Sequence, residues 1–244
     1  MERAFWPIFA GLLGLAAGSF LSTATLRWPR GETLSGRSHC DGCGRRLRAT
    51  ELMPLLSWCL ASGRCRHCHA AIDPRHPLLE LAGAAVGVLA LLAVPGPAGF
   101  AGALFGWMLL PLIILDVDHY WLPDRLTVPL LALGLLLGPG DWPIRLAGAG
   151  LGGGLLWLLA WGYRRLRGTD GLGLGDVKLV AALGAWLGPW MLGPLLTIAA
   201  ALGLLIAAAT ARRQPVTDKR IPFGACLACT AFPLWLFLAT AGGI

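Results

Sequence analysis

Leu109-Leu110-Pro111-Leu112-Ile113-Ile114-Leu115-Asp116-Val117-Asp118-His119-Tyr120-Trp121-Leu122-Pro123-Asp124 decides the reading of this chain. An apolar run ends there in three carboxylates and a histidine, and a second apolar run, Leu126 to Leu137, follows at once. Ionisable groups where a membrane helix meets water are costly to desolvate and mark a functional site with a partner to be found. The plainer reading is that these acids solvate a turn. If the helix continues, residues 116 and 118 point to nearly opposite sides of it, so a partner for Asp116 has to come from elsewhere. Gly171-Leu172-Gly173-Leu174-Gly175-Asp176, set before the helix-like run Val177 to Leu187, supplies the candidate. Here the plainer reading makes Asp176 a helix N-cap after a glycine turn.

Composition sets the solvent. The chain has 244 residues, 56% hydrophobic and 14% charged, against roughly 25% charged in a soluble domain. It reads as an all-α polytopic membrane protein with eight spans, at about 5–26, 76–94, 99–117, 124–138, 144–163, 177–189, 192–211 and 222–241. Several fall short of the roughly 20 residues of a straight span, which leaves two readings: boundaries that shift by a few residues, or helices that begin inside a protein-lined cavity.

Of the 20 lysines and arginines, only Arg3 and Arg145 fall on one side of this topology. Positive residues stay cytoplasmic. Both termini are therefore expected in the periplasm, with residues 27–75, 116–124, 164–176 and 212–220 in the cytoplasm, so that Asp116 and Asp176 share a face. The same rule accounts for the net charge of +7 without a nucleic-acid partner. The first span carries its positive charge after the apolar run, unlike a signal peptide, and is expected to stay in the mature protein.

The one substantial polar stretch, residues 27–75, contains Cys40-Asp41-Gly42-Cys43 and Cys65-Arg66-His67-Cys68, with 21 residues between the pairs. Two such pairs suit a closed four-thiolate structural zinc site of Cys40, Cys43, Cys65 and Cys68. Disulfides are disfavoured on a reducing side, and a redox motif needs one CxxC on a βαβ frame. His39, His67 and His69 stand close enough to substitute as ligands. A stretch this small would draw much of its folding energy from the metal. Cys59, Cys226 and Cys229 read as small hydrophobes.

Two further features ask for explanation. Glu80 lies about a turn into the second span and needs a partner, with Arg75 or an arginine of the first loop the expected one. Gly148-Ala149-Gly150-Leu151-Gly152-Gly153-Gly154 reads as close helix packing, since no lysine or serine follows in Walker order.

Paired aspartates at a membrane face can share a proton and activate water without a metal or a covalent intermediate. The glycines before Asp176 would let a substrate backbone approach, and Leu122-Pro123 would end the helix so that Asp116 opens toward water.

The motifs together resemble those of bacterial type IV prepilin peptidases, membrane aspartyl proteases that trim pilin and pseudopilin leaders and methylate the new N-terminus. The resemblance rests on Gly18-Ser19-Phe20-Leu21 with Arg27-Trp28-Pro29, the two CxxC pairs, Arg75-His76-Pro77-Leu78-Leu79-Glu80, Asp116 through Asp124, Gly173-Leu174-Gly175-Asp176-Val177-Lys178-Leu179, and Ile221-Pro222-Phe223-Gly224. It implies that Asp116 and Asp176 are the catalytic pair, with Asp118, Asp124, Gly173, Gly175 and Lys178 in support. It also implies methyl transfer from S-adenosylmethionine, involving Glu51, Arg75 and Glu80. The expected partners are the leader and N-terminal helix of a prepilin or type II secretion pseudopilin, and the expected location is the bacterial inner membrane.

The expected division is 1–26 for the first membrane helix, 27–75 for a cytoplasmic zinc insert and 76–244 for a seven-helix peptidase domain. Two departures stand out. Where the family usually reads Glu-Asn-Ile-Pro, this chain has Glu51-Leu52-Met53-Pro54, and where it often reads Pro-Phe-Gly-Pro, this chain has Pro222-Phe223-Gly224-Ala225. The first departure bears on methyl transfer, which leaves a peptidase without methylation as one alternative. The other is a multi-pass cation transporter with a regulatory zinc domain, which would place its acids near the bilayer midplane.

Overall fold

The structure, a computed structural model, describes residues 2–168, 173–211 and 221–242. Each expected apolar run forms a helix: α1 (Glu2–Arg27), α3 (Arg75–Ala93), α4 (Pro97–His119), α5 (Asp124–Leu137), α6 (Trp142–Arg167), α7 (Leu174–Leu187), α8 (Leu192–Ala211) and α9 (Phe223–Thr240). A short helix, α2 (Leu56–Leu60), lies in the insert, and no strand occurs among the described residues.

Six of these segments, not eight, are long and apolar enough to cross a membrane. The exceptions are α5 and α7, with 14 residues each. At 1.5 Å per residue each reaches about 21 Å, short of a hydrocarbon core of about 30 Å. α7 is largely enclosed, and α5 packs against it with one face, leaving Val128 and Leu136 exposed on the other. Trp186 of α7 is fully buried, donates its indole N–H to the Leu130 carbonyl of α5 at 2.9 Å, and stacks on Phe105 of α4 with ring centroids 4.8 Å apart.

Small residues set the closest approaches. Gly14 and Gly18 of α1 lie against the backbone of α3 around Leu79 and Gly83, where a side-chain carbon would collide with main chain. Gly148 and Gly184 oppose each other in the same way between α6 and α7. The glycine run of α6 is therefore a packing surface, as expected, although Gly150 and Gly154 face open space. Such contacts let helices associate where lipid gives little hydrophobic drive between them. Large apolar side chains such as Leu204 and Leu205 of α8 remain exposed on the outside, the pattern of a lipid-facing surface.

The helix alternation gathers one set of ends together. Arg75 at the start of α3 pairs with Asp118 at the end of α4 (3.1 Å), and Lys178 of α7 pairs with Asp124 at the start of α5 (2.7 Å). The insert lies at this same end, since its Leu55 amide bonds Glu80 of α3. Gly171, Leu172 and the arginine- and lysine-bearing stretch 212–220 lie outside the described residues.

Candidate active site and cysteine centre

Asp116 lies in the last full turn of α4, which runs on to His119 and stops where Tyr120 takes a left-handed conformation at φ 50° and ψ 41°. The helix therefore spans both 116 and 118, and the two acids do part. Asp118 turns to Arg75, while Asp116 turns inward and is 5% exposed. It does not open toward water as the Leu122-Pro123 reading expected. Leu122 folds back instead, close to both Gly175 and Gly224, where added side-chain carbons would lie 3.1 Å from its Cβ and 2.7 Å from its Cδ1.

The carboxylate of Asp116 is held by the start of α9. The Ala225 N–H donates to its Oδ2 at 2.6 Å, and the Gly224 N–H also bonds it. These are first-turn amides that no carbonyl of their own helix accepts, so a carboxylate is their natural partner. Only a glycine fits at 224 without disturbance, because a Cβ there would stand 3.1 Å from Asp116 Oδ2.

Asp176 is not the N-cap of α7. That position belongs to Gly173, and Asp176 sits in the first turn with its side chain accepting the Gly173 N–H. The charge on Asp116 is felt at Asp176. The ends of α4, α7 and α9 thus bring together two carboxylates, Leu122 and the backbone at Gly224. Asp124 and Lys178 lie at the rim, exposed, and join α5 to α7. That the ends of α4 and α7 bearing the two aspartates share one face was expected from the topology. The contribution of α9 was not, although Pro222-Phe223-Gly224 carries the signal of a proline-started helix with an open first turn.

The four cysteines Cys40, Cys43, Cys65 and Cys68 converge, with their sulfur atoms all within 4.8 Å of one another. Both CxxC pairs use the same turn: the Gly44 N–H bonds the Cys40 carbonyl at 2.8 Å, and the His69 N–H bonds the Cys65 carbonyl at 3.0 Å. Gly44 and His69 both take positive φ, at 69° and 59°. The Cys68 and His67 amides point at the Cys65 sulfur and bring its pKa down to about 6, while the neighbouring sulfurs push Cys68 up to about 11. Four sulfurs at this spacing fit a tetrahedral ion with metal–sulfur bonds of about 2.3 Å. His39, His67 and His69 are not part of the cluster, and His39 instead meets the Arg27 guanidinium at 3.3 Å.

A cavity of about 510 Å³ lies between the insert and the ends of α1 and α3. Ser19, Thr23, Glu51, Leu52, Trp58, His76 and Glu80 line it, together with Asp41, Asp73, Arg27 and Arg30. Glu51 is fixed by the Arg45 guanidinium and by the Arg48 N–H at 2.9 Å. The Arg48 amide is the main cause of a pKa below the usual carboxylate value, and Arg45 adds to it. The expectation that an arginine satisfies Glu80 is not met. Glu80 is 6% exposed and accepts the Leu55 N–H at 2.8 Å, Leu55 holding a positive φ of 58° to present it. Arg75 is committed to Asp118 and Asp73 and is absent from the cavity wall.

Comparison with known proteins identifies the family. Residues 12–94 match the bacterial peptidase A24 N-terminal domain, and residues 103–208 match the type IV leader peptidase family. A prepilin leader peptidase/N-methyltransferase of Dichelobacter nodosus is 36% identical over 267 residues, covering 96% of this chain and 92% of its own. One of Aeromonas salmonicida (strain A449) is 42% identical over 204 residues, covering 79% and 68%. A type 4 prepilin-like proteins leader peptide-processing enzyme of Escherichia coli O78:H11 is 36% identical over 248 residues, covering 91% and 90%. No solved structure matches the chain. With two family domains in order and relatives aligned along nearly its whole length, the chain belongs to the prepilin leader peptidase/N-methyltransferase family.

Proposed function

We propose that this protein cleaves the leader of type IV prepilins or type II secretion pseudopilins with Asp116 and Asp176, and then methylates the new N-terminal amine. The observation that carries the first step is the convergence of the two aspartates at one end of the bundle with the amides of α9 on Asp116. Hydrogen bonds to a carboxylate favour its charged form. Asp116 is thus assigned the charge and Asp176 the proton. Asp116 takes a proton from water as the water oxygen attacks the scissile carbonyl, while Asp176 donates its own proton to the carbonyl oxygen. Collapse of the tetrahedral intermediate breaks the C–N bond, with the amine protonated by Asp116. Gly173 and Gly175 support the site by packing, Gly175 giving Leu122 its place and Gly173 lying beside the Asp176 carboxylate. Lys178 with Asp124, and Arg75 with Asp118, hold the surrounding helix ends.

The positive-inside rule supports placing this end in the cytoplasm and both termini in the periplasm. We divide the chain into 1–26, 27–75 and 76–244, with the middle part folded around a structural zinc on Cys40, Cys43, Cys65 and Cys68.

The cavity suits S-adenosylmethionine. Its volume lies in the range of small-ligand sites. The indole N–H of Trp58, a wall residue, is buried and has no partner among the described residues, and the wall offers both acids and arginines to a ligand that carries an ammonium, a sulfonium and a carboxylate. When bound, this cofactor would supply an electrophilic methyl group on a sulfonium. Glu51 and Glu80 orient the incoming amine. Arg75 acts from outside, by tying the start of α3 to α4.

The helix ends where the acids sit, and the relatives' names, favour this reading over a cation transporter. The test is to incubate purified protein with a prepilin and the cofactor and determine the mass and sequence of the new N-terminus. Leader loss with a gain of one methyl group is expected. Asp116→Asn and Asp176→Asn should each abolish cleavage while still inserting and keeping metal, and normal processing by either sinks the assignment.

A further inference from the structure

His76 stands one turn before Glu80 on α3 and lines the same cavity, yet nothing above uses it. Its ring has a definite orientation. Ser22 of α1 is fully buried, with its Oγ 2.8 Å from the Ser19 carbonyl and 2.7 Å from the imidazole Nδ1, and a hydroxyl that gives its one proton to the carbonyl accepts from Nδ1. In that arrangement Nδ1 carries the hydrogen and Nε2 keeps a lone pair. We infer that His76 is the general base of methyl transfer, taking through Nε2 the proton of the newly exposed N-terminal ammonium.

The assignment rests on the methyl-transfer reading of the cavity and names the group that reading lacks. An N-terminal ammonium has a pKa of about 7.7–8.0 and must lose a proton before it can attack. A carboxylate near 4.3 is a poor acceptor for it, whereas an imidazole near 6.5 is matched. The carboxylates are also engaged, Glu51 by Arg45 and Arg48, Glu80 by Leu55. In the step, an N–H bond of the ammonium breaks and its proton goes to Nε2. The freed nitrogen lone pair then attacks the sulfonium methyl, a C–N bond forms, and the C–S electrons return to sulfur as a neutral thioether. Glu80 on its own helix, Asp73 before it and Asp41 of the insert line the same cavity and oppose the arginines there, Arg27, Arg30, Arg64 and Arg66, around the resulting imidazolium. His76 then returns the proton to solvent.

The test combines a spectroscopic and a kinetic reading of the intact protein. In ¹⁵N spectra of histidine-labelled protein at neutral pH, the signals lost in His76→Gln should show a protonated Nδ1 and a bare Nε2, and Ser22→Ala should erase that preference. The opposite tautomer in the wild type overturns the proposal. His76→Gln should lose about a hundredfold or more of methyl incorporation, keep its affinity for S-adenosylmethionine, and cleave leaders normally. Its residual rate should climb as pH rises through about 8, where the amine deprotonates unaided, while the wild type has already levelled off. Wild-type rate and pH profile in His76→Gln refute the role, as does a parallel loss of cofactor affinity. A wild-type protein that leaves a fully cleaved pilin unmethylated overturns the methyl-transfer reading itself. Failure confined to the variant's predicted loss overturns only the base.

Discussion

Gly224→Ala tests whether the α9 amides serve the aspartates. The added methyl would come within 3.1 Å of Asp116 Oδ2, 3.2 Å of its Cγ and 2.7 Å of Leu122 Cδ1. Leu122 can yield by rotating, but Asp116 is pinned by the 2.6 Å bond from Ala225, so either the carboxylate or the start of α9 shifts. A hydrogen bond to a charged group contributes about 1.5–3 kcal/mol. Losing between half and all of one such bond costs about 1–3 kcal/mol, or roughly 5- to 150-fold in rate. The assay is kcat/KM for leader cleavage in lipid vesicles, with metal content and S-adenosylmethionine affinity measured on the same sample. Adding Leu122→Ala removes the shorter contact and should return only part of the loss, because the contact with Asp116 remains. Cleavage by Gly224→Ala within about twofold of wild type would refute the cradle, since a displaced carboxylate cannot leave transition-state stabilisation unchanged.

Other outcomes follow from the same geometry. Asp118→Asn and Asp124→Asn should retain cleavage, because each breaks an exposed or half-exposed ion pair worth about 1 kcal/mol or less, and loss of all activity in either would move it into the dyad. Replacing Cys40 and Cys43 together with Ser should release about one zinc per chain and open the insert to protease, so undiminished zinc in that variant would place the metal elsewhere. Leu52 lines the cavity without an amide to offer. Leu52→Asn should raise methylation relative to cleavage, and an unchanged ratio would show that the substitution is neutral.

The eight helices were legible because apolar runs declare themselves, and the cysteine cluster because two CxxC pairs leave few geometries open. The shortness of α5 and α7 was legible too, but not its meaning: sequence does not show that Trp186, Leu130 and Phe105 enclose a helix too short to cross alone. The partners of the buried acids were harder still. Asp116 and Glu80 are both satisfied by backbone amides, of Ala225 and Leu55, and an amide N–H is carried by every residue except proline. Looking for an arginine near Glu80 followed charge, whereas the fold satisfied it with main chain. His76 was in plain view inside Arg75-His76-Pro77-Leu78-Leu79-Glu80, but its role depends on Ser22, 54 residues away.

The bond from Ala225 to Asp116 closes a distance of 109 residues, almost half the chain. Both aspartates are synthesised well before the segment that completes their surroundings, and a growing chain halted before residue 224 holds the acid pair without its cradle. On the reading proposed here, the dyad takes its full surroundings only once α9 is in place.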